Sequence, residues 1–189
     1  MTETPHPHLV DTDALTGEMH PIRRVVLALG SNLGERFTAL QGAVSALADT
    51  PDVFLTGVSP VYETEPVDSP EGSRPYLNAV VLADTTLPAR RLMERVLAIE
   101  DAFDRERTDV RNAPRTLDVD LIVVGDRRSD EEHMRLPHPR AHERAFVLQP
   151  WHDVEPDAVL PGRGPVADLL ASADCSTIKR REDLALDLG

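Results

Sequence analysis

Apolar residues along the first third of the chain follow first a strand pattern and then a helix pattern. An unbroken apolar run at residues 25–29, which Gly30 ends, predicts a buried strand. From residue 37 to about residue 48, apolar side chains recur every three or four positions, which predicts a helix. Residues 53–62 are rich in β-branched and aromatic side chains and predict a second strand.

The same order of strand, helix and strand patterns recurs between residues 76 and 124. Residues 76–83 predict a third strand, and an apolar stripe from residue 92 to residue 103 predicts a helix with Pro88 in its first turn. Residues 119–124 predict a fourth strand, which Gly125 ends. The resulting order, β-α-β-β-α-β, is typical of a ferredoxin-like α+β core with an antiparallel sheet. We expect both helices on one face, with the other face free for loops and ligands.

The remaining parts of the chain indicate an exposed loop and the limits of the folded domain. Residues 65–75 contain three prolines and a glycine and predict a long exposed loop. Short helices near residues 141–144 and 166–172 are expected to complete the fold as C-terminal additions. The three segments that we predict are a flexible N-terminal extension at residues 1–23, a folded domain at residues 24–175 and a C-terminal tail at residues 176–189.

Composition narrows the classes of function. The formal net charge of −13 disfavours nucleic acid and anionic membranes as partners, because their phosphates would be repelled. No apolar run approaches the roughly 20 residues that a membrane helix needs. The single cysteine, Cys175, and the lack of a signal-peptide pattern favour a cytoplasmic protein. We expect small molecules as its partners, and a monomer as the simplest state.

Two carboxylates head the fourth predicted strand. Asp118 and Asp120 are two positions apart, so both side chains point to one face, roughly 7 Å from each other. Such carboxylates repel unless a cation lies nearby, and hard oxygen ligands suit Mg²⁺ together with substrate phosphates. An isolated pair of this kind is more often two solvated acids at a strand end.

Four arginines lie just before these carboxylates, in a stretch that contains only two acids. They are Arg105, Arg107, Arg111 and Arg115. A loop that folds back would place their guanidinium groups opposite the carboxylates, as phosphoryl transfer requires. The alternative is a surface loop whose arginines pair with Glu106 and Asp109. Together, the carboxylates and the arginines favour a magnesium–nucleotide site.

Two further places carry candidate chemistry. Tyr76 and Asn78 share one strand face and would suit a flat ring with amide-like edges, although they are also ordinary residues for a sheet edge. His138 lies between two prolines and could donate to a phosphate or simply pack in a turn. The chain has neither a dinucleotide fingerprint nor a glycine-rich phosphate loop, so nucleotide binding would depend on side chains.

Residues 111–122, RNAPRTLDVDLI, closely resemble the signature of the 6-hydroxymethyl-7,8-dihydropterin pyrophosphokinase family of folate biosynthesis. The resemblance covers about residues 24–172. Its other motifs are ALGSNLG at 28–34, YETEP at 62–66, YLNA at 76–79, IE at 99–100, LPHP at 136–139 and RAF at 144–146. The resemblance implies a ferredoxin-like fold, in agreement with the predicted order of elements.

The resemblance also implies an activity, which is transfer of the β,γ-diphosphate of ATP to the hydroxymethyl group of the pterin. The products would be the pterin methyl diphosphate and AMP, with ATP as co-substrate and two Mg²⁺ ions as cofactors. By position, Asp118 and Asp120 would hold the two ions. Arg105 and Arg115 would assist the transfer or the closure of a loop.

The resemblance also implies, position by position, which residues bind ATP and which bind the pterin. The ATP-binding set is Glu100, Arg107, Arg111, Arg115, Leu121, His138 and Arg144. The pterin-binding set is Thr64, Val67, Tyr76, Asn78 and Phe146. Tyr76 and Phe146 would sandwich the ring, which suits aromatic stacking, while Asn78, Thr64 and the backbone near Val67 would read its edge.

The sequence departs from the family pattern at a few positions. Asn112 stands where many relatives have tryptophan, His133 and Arg135 where some have arginine and threonine, and Glu65 where proline is common. None of these changes removes a predicted metal ligand or stacking ring. Two alternatives to the pyrophosphokinase are a non-catalytic nucleotide- or pterin-binding module, which would not need two metal ligands, and a metal phosphodiesterase, which would need more of them.

Overall fold

The computed structural model describes residues 20–66, 71–103 and 116–189. Its strands and helices follow the predicted order, except that the predicted second strand at residues 53–62 divides into two short strands around Ser59 and Pro60, and further elements follow the predicted ones. The elements are β1 (Arg23–Ser31), α1 (Arg36–Ala48), β2 (Val53–Val58), β3 (Tyr62–Thr64), β4 (Tyr76–Thr85), α2 (Ala89–Ala102), β5 (Asp118–Val124), β6 (Ser129–Glu131), β7 (Met134–Leu136), a 3-10 turn (Ala141–Glu143), α3 (Ala145–Val154), β8 (Val159–Leu160), β9 (Gly164–Pro165), α4 (Val166–Ala171) and β10 (Ile178–Arg180).

The main sheet is antiparallel, with β4 and β1 among its inner strands. The strand β1 pairs with β4 along one edge and with β5 along the other. The strands β2 and β3 pair with opposite ends of β4, and β10 pairs with β3. The order is therefore β10-β3-β4-β1-β5, with β2 beside β4. The predicted antiparallel α+β core is confirmed.

Helices α1 and α2 cover one face of this sheet, as predicted. Leu40 and Leu47 of α1 are fully buried against Leu27 and Leu29 of β1, and α2 contributes Val96 to the same core. Each fully buried leucine contributes about 1.5–3 kcal/mol relative to an exposed one, so this first core carries much of the stability. Among the described helices, none is long and apolar enough to cross a membrane.

The second face of the sheet is not free along its whole length. Leu148 and Trp151 of α3 pack on Val26, Val80 and Ile122 and form a second core. The apolar residues that follow position 145 are therefore part of a ten-residue helix. The ends of β4 and β5 that carry Asn78 and Asp118 continue this same face with polar groups, because alternate strand residues share a face.

Residues 176–189, which we predicted to be a tail, belong to the fold. The strand β10 extends the sheet beside β3, and Arg181 donates its backbone N–H to the carbonyl of Val61. After it, Leu184, Leu186 and Leu188 pack against the first core. Their spacing of two residues is the pattern of an extended segment with one apolar side, so the sequence did contain the signal.

Candidate active site

Three strands bring the predicted site residues to one end of the second face. Gly30 of β1 lies opposite Asn78 of β4 and, on its other side, opposite Asp118 of β5. Two residues earlier, Ala28 pairs in the same way with Asp120. Since partners in an antiparallel ladder point to the same face, the predicted metal-binding and pterin-binding residues share one surface.

Gly30 leaves room that any other residue would fill. A Cβ atom at this position would lie 3.2 Å from Oδ1 of Asn78 and 3.6 Å from Cδ1 of Tyr76. A glycine inside a strand commonly marks a place where another group approaches the backbone closely. Here the open space lies between the predicted pterin-binding residues and the predicted metal-binding residues.

The Asp120 carboxylate has a cation beside it and remains partly exposed. Nη1 of Arg144 lies 3.4 Å from Oδ2 of Asp120, and the Asp120 side chain is 32% exposed. Within residues 20–66, 71–103 and 116–189, no group of three or more His, Cys, Asp or Glu side chains could hold a metal ion. Two carboxylates completed by phosphate and water oxygens are nevertheless a normal Mg²⁺ environment, so the residues present fit that ion.

Two backbone hydrogen bonds fix His138. Its N–H donates to the carbonyl of Ile122 at 2.9 Å, at the position where the register between β1 and β5 shifts. Its ring Nδ1 accepts from the N–H of Arg140 at 3.1 Å. Nε2 then points toward Asp120, 3.9 Å from Oδ2.

The charge state of His138 follows from its surroundings. Burial, and then the positive charge of Arg144, lower the pKa of His138 to about 4. The ring is therefore neutral near pH 7. Because Nδ1 accepts a hydrogen bond, the proton of the neutral ring is on Nε2, which makes Nε2–H a donor directed at the site.

Glu100 lies beneath the strand that carries the aspartates. Its side chain is 2% exposed, and Oε1 accepts the N–H of Val119 at 2.8 Å. Val119 separates Asp118 from Asp120, so this contact fixes the backbone between the two carboxylates. The side chain of Leu121 is likewise buried in the first core, and its predicted contact with ATP stays a prediction. Direct contact of Glu100 with ATP stays a prediction.

The predicted pterin-binding side chains that the structure describes come from β3, β4 and the start of α3. Nδ2 of Asn78 donates to Oγ1 of Thr64 at 2.7 Å, and both residues are buried. Tyr76 lies two residues before Asn78 on the same face. Phe146 packs against the second core, with the Arg144 guanidinium carbon 5.5 Å from the centre of its ring. The geometry thus provides two aromatic rings and one fixed amide.

Several predicted residues lie outside the described part of the chain. They are Val67, Arg105, Arg107, Arg111, Asn112 and Arg115. Conversely, no sequence pattern indicated the hydrogen bond from the Tyr62 hydroxyl to Oδ2 of Asp153. It joins β3, which carries Thr64, to α3, which carries Phe146. An aspartate near the end of a helix has no distinctive pattern, and its partner is 91 positions away.

Comparison with known proteins identifies the family of the chain. The family model of 7,8-dihydro-6-hydroxymethylpterin-pyrophosphokinase matches residues 26–156. A 2-amino-4-hydroxy-6-hydroxymethyldihydropteridine pyrophosphokinase from Pseudomonas aeruginosa is 38% identical over 159 residues, which cover 84% of this chain and 97% of that protein. The protein of the same name from Mycobacterium tuberculosis is 41% identical over 164 residues, covering 80% of this chain and 84% of its own length.

Solved structures show the same fold. The chain is similar to the crystal structure of wild-type Plasmodium falciparum HPPK-DHPS with pterin and p-hydroxybenzoate, with a TM-score of 0.63. The match covers 87% of this chain and 46% of that longer one, at 13% sequence identity. At this identity the likeness concerns the fold alone.

Proposed function

The chain belongs to the 7,8-dihydro-6-hydroxymethylpterin-pyrophosphokinase family, and we propose how its own residues perform the reaction of that family. The enzyme transfers pyrophosphate from ATP to the hydroxymethyl pterin, a step of folate biosynthesis. One observation carries the proposal for the site. Asn78 and Asp118 lie on either side of Gly30, about 10 Å apart on one face, which supports the proposal that Asn78 reads the ring and Asp118 binds metal.

In this proposal Asp118 and Asp120 bind Mg²⁺, and the number of ions is two. The carboxylates supply part of the coordination shell, and phosphate oxygens of ATP with water supply the rest. Bound Mg²⁺ neutralises the negative charge of the phosphate chain during transfer. Glu100 also supports this site, since its hydrogen bond with the N–H of Val119 holds the two aspartates in register, and it remains part of the predicted ATP-binding set.

Arg144 and His138 bind the phosphate chain. Arg144 lies beside Asp120 and brings a fixed positive charge, while the neutral His138 contributes an N–H donor through Nε2. Arg107, Arg111, Arg115 and Leu121 complete the ATP-binding set with Glu100. Arg105 and Arg115 also assist transfer or loop closure. Two adjacent carboxylates with a neighbouring arginine suit catalysis better than simple binding, because tight binding alone does not need a site for metal.

The pterin lies between Tyr76 and Phe146. Asn78 uses one amide N–H on Thr64, so its orientation is fixed and its Oδ1 is available to a donor at the pterin edge. The hydroxymethyl oxygen attacks the β-phosphorus of ATP and the bond from that phosphorus to the α,β-bridging oxygen breaks, which releases AMP. No protein nucleophile takes part, because alignment and charge neutralisation suffice.

The single Cys175 supports a cytoplasmic location.

A product assay tests the proposal. Purified protein is incubated with the hydroxymethyl dihydropterin and ATP, with Mg²⁺ or with a chelator, and the nucleotides are separated. We expect AMP and the pterin diphosphate in equal amounts, and only when Mg²⁺ is present. ADP as the product, or no turnover by protein that is demonstrably folded, would overturn it.

A further inference from the structure

A second cleft lies next to the candidate active site. It has a volume of about 510 Å³ and lies between the β6–β7 hairpin, the segment 137–142 and the β8–β9 turn. This volume is within the roughly 300–1,000 Å³ of small-molecule sites. His138 lines the cleft, while Asp118 and Asp120 do not, so the two sites are neighbours that share one wall.

Positive charge dominates the lining of this cleft. It contains three arginines, Arg128, Arg135 and Arg163, and one carboxylate, Asp130. Within the described part of the chain, none of these three arginines has an ion pair with a carboxylate. In a protein of net charge −13, three guanidinium groups around one cleft are a local excess that an anion would neutralise.

One of the three arginines is held in place by the opposite wall. Nη1 of Arg128 donates to the carbonyl of Pro161 at 3.0 Å. The next residue, Gly162, has a φ of +77°, and a Cβ atom there would lie 2.7 Å from Nη1 of Arg128. The turn thus needs glycine both for its backbone and for the approach of the guanidinium. A cation fixed in this way loses less conformational entropy when it binds a ligand.

The charge and size of the cleft indicate the class of ligand. Guanidinium groups bind phosphate and carboxylate oxygens through paired N–H donors. A single carboxylate would neutralise only one of three arginines, whereas a diphosphate carries several charged oxygens along a short chain. We propose that the cleft lined by Arg128, Arg135 and Arg163 binds a small polyanion of the diphosphate class, at a site separate from the ATP site.

Calorimetry with inorganic diphosphate tests this proposal independently of catalysis. Diphosphate is titrated into the full-length protein saturated with Mg²⁺ and a non-hydrolysable ATP analogue, so that the proposed active site is already filled. We expect binding to persist and to weaken about ten-fold in Arg163→Ala, the loss typical of one charge-assisted contact. Gly162→Ala should also weaken it, since it displaces Arg128 without removing a charge.

Controls separate the possible sources of a signal. Arg95→Ala removes an exposed arginine on α2 that is not among the residues lining the cleft, and should leave diphosphate binding unchanged. AMP, which carries a single phosphate, is titrated in parallel and should bind more weakly than diphosphate; AMP that binds as tightly overturns the assignment to the diphosphate class. Loss of diphosphate binding upon saturation with the analogue, or no binding at all, overturns the proposal. So does an Arg163→Ala variant that loses affinity for ATP and diphosphate alike.

Discussion

Asn78 and Asp118 face each other across Gly30, each one strand away from it on the same rung of the sheet. The residue expected to read the pterin and the residue expected to hold the metal are therefore positioned by one strand. With strands about 4.8 Å apart, their separation is fixed at about 10 Å by backbone hydrogen bonds. Because Gly30 lies between these two residues, a side chain at this position should affect the binding of the pterin.

We expect Gly30→Ala to weaken pterin binding specifically. The new Cβ atom would lie 3.2 Å from Oδ1 of Asn78, which must shift by a few tenths of an ångström and lose its alignment with the ring edge. A hydrogen bond impaired in this way costs about 1 kcal/mol, so KM for the pterin should rise by roughly five- to ten-fold. Steady-state kinetics should show KM for ATP unchanged. An unaltered pterin KM in a folded variant would contradict the placement of the ring.

We expect Asp118→Asn and Asp120→Asn each to lower kcat/KM by about a thousand-fold or more, because a metal site stabilises charge by several kcal/mol. Asparagine keeps the size of the side chain, and the contact of Val119 with Glu100 remains. Initial rates over a range of Mg²⁺ concentrations measure the effect, and thermal unfolding checks the fold. Asp157→Asn, at an exposed turn, is the matched control and should retain full activity. Magnesium-independent turnover by either variant would contradict the metal role.

The local sequence pattern was sufficient to predict some features of the candidate site but not others. Asp118 and Asp120 share a face because strand periodicity requires it, so their geometry was predictable from spacing. Glu100 was assigned to ATP by resemblance, which stays a prediction, whereas its hydrogen bond with the buried N–H of Val119 was not predicted, because it depends on how α2 packs against β5. The partner of Tyr62 is distant in sequence, and no periodicity encodes such a contact.

The C-terminal segment should contribute several kcal/mol to stability. Deleting residues 178–189 removes β10, the ion pair of Arg181 with Glu63 and the packing of Leu184, Leu186 and Leu188. Each partly buried leucine contributes about 1–2 kcal/mol to the free energy of unfolding. The ion pair is partly exposed to solvent and therefore adds little.

Urea unfolding followed by the fluorescence of Trp151, the single tryptophan and a fully buried one, measures that loss. Lys179→Ala, an exposed substitution within β10, is the control and should change stability by less than about 0.5 kcal/mol. A deletion variant as stable as the complete chain would show that residues 178–189 are dispensable for the fold.

Tyr62 should resist ionisation at alkaline pH. Burial, followed by the hydrogen bond and negative charge of Asp153, raises the pKa of Tyr62 well above its ordinary value of 10.0. Because the folded-state pKa is raised, the neutral phenol contributes stability that is fully present below pH 10 and is lost as the pH rises above it. Tyr62→Phe should therefore lose stability less steeply above pH 10 than the parent protein.

A titration of Tyr62 alone tests this directly. The chain has two tyrosines, so Tyr76→Phe leaves Tyr62 as the only phenol, and its ionisation can be followed by near-ultraviolet absorbance. We expect no phenolate signal at pH 10 while Trp151 fluorescence still reports a folded protein, and a signal only as the protein unfolds. Adding Asp153→Asn removes the charge that repels the phenolate, so Tyr62 should then ionise at a lower pH. Ordinary titration near pH 10 in the intact fold would rule out the link between β3 and α3 that holds Thr64 and Phe146 at the proposed pterin site.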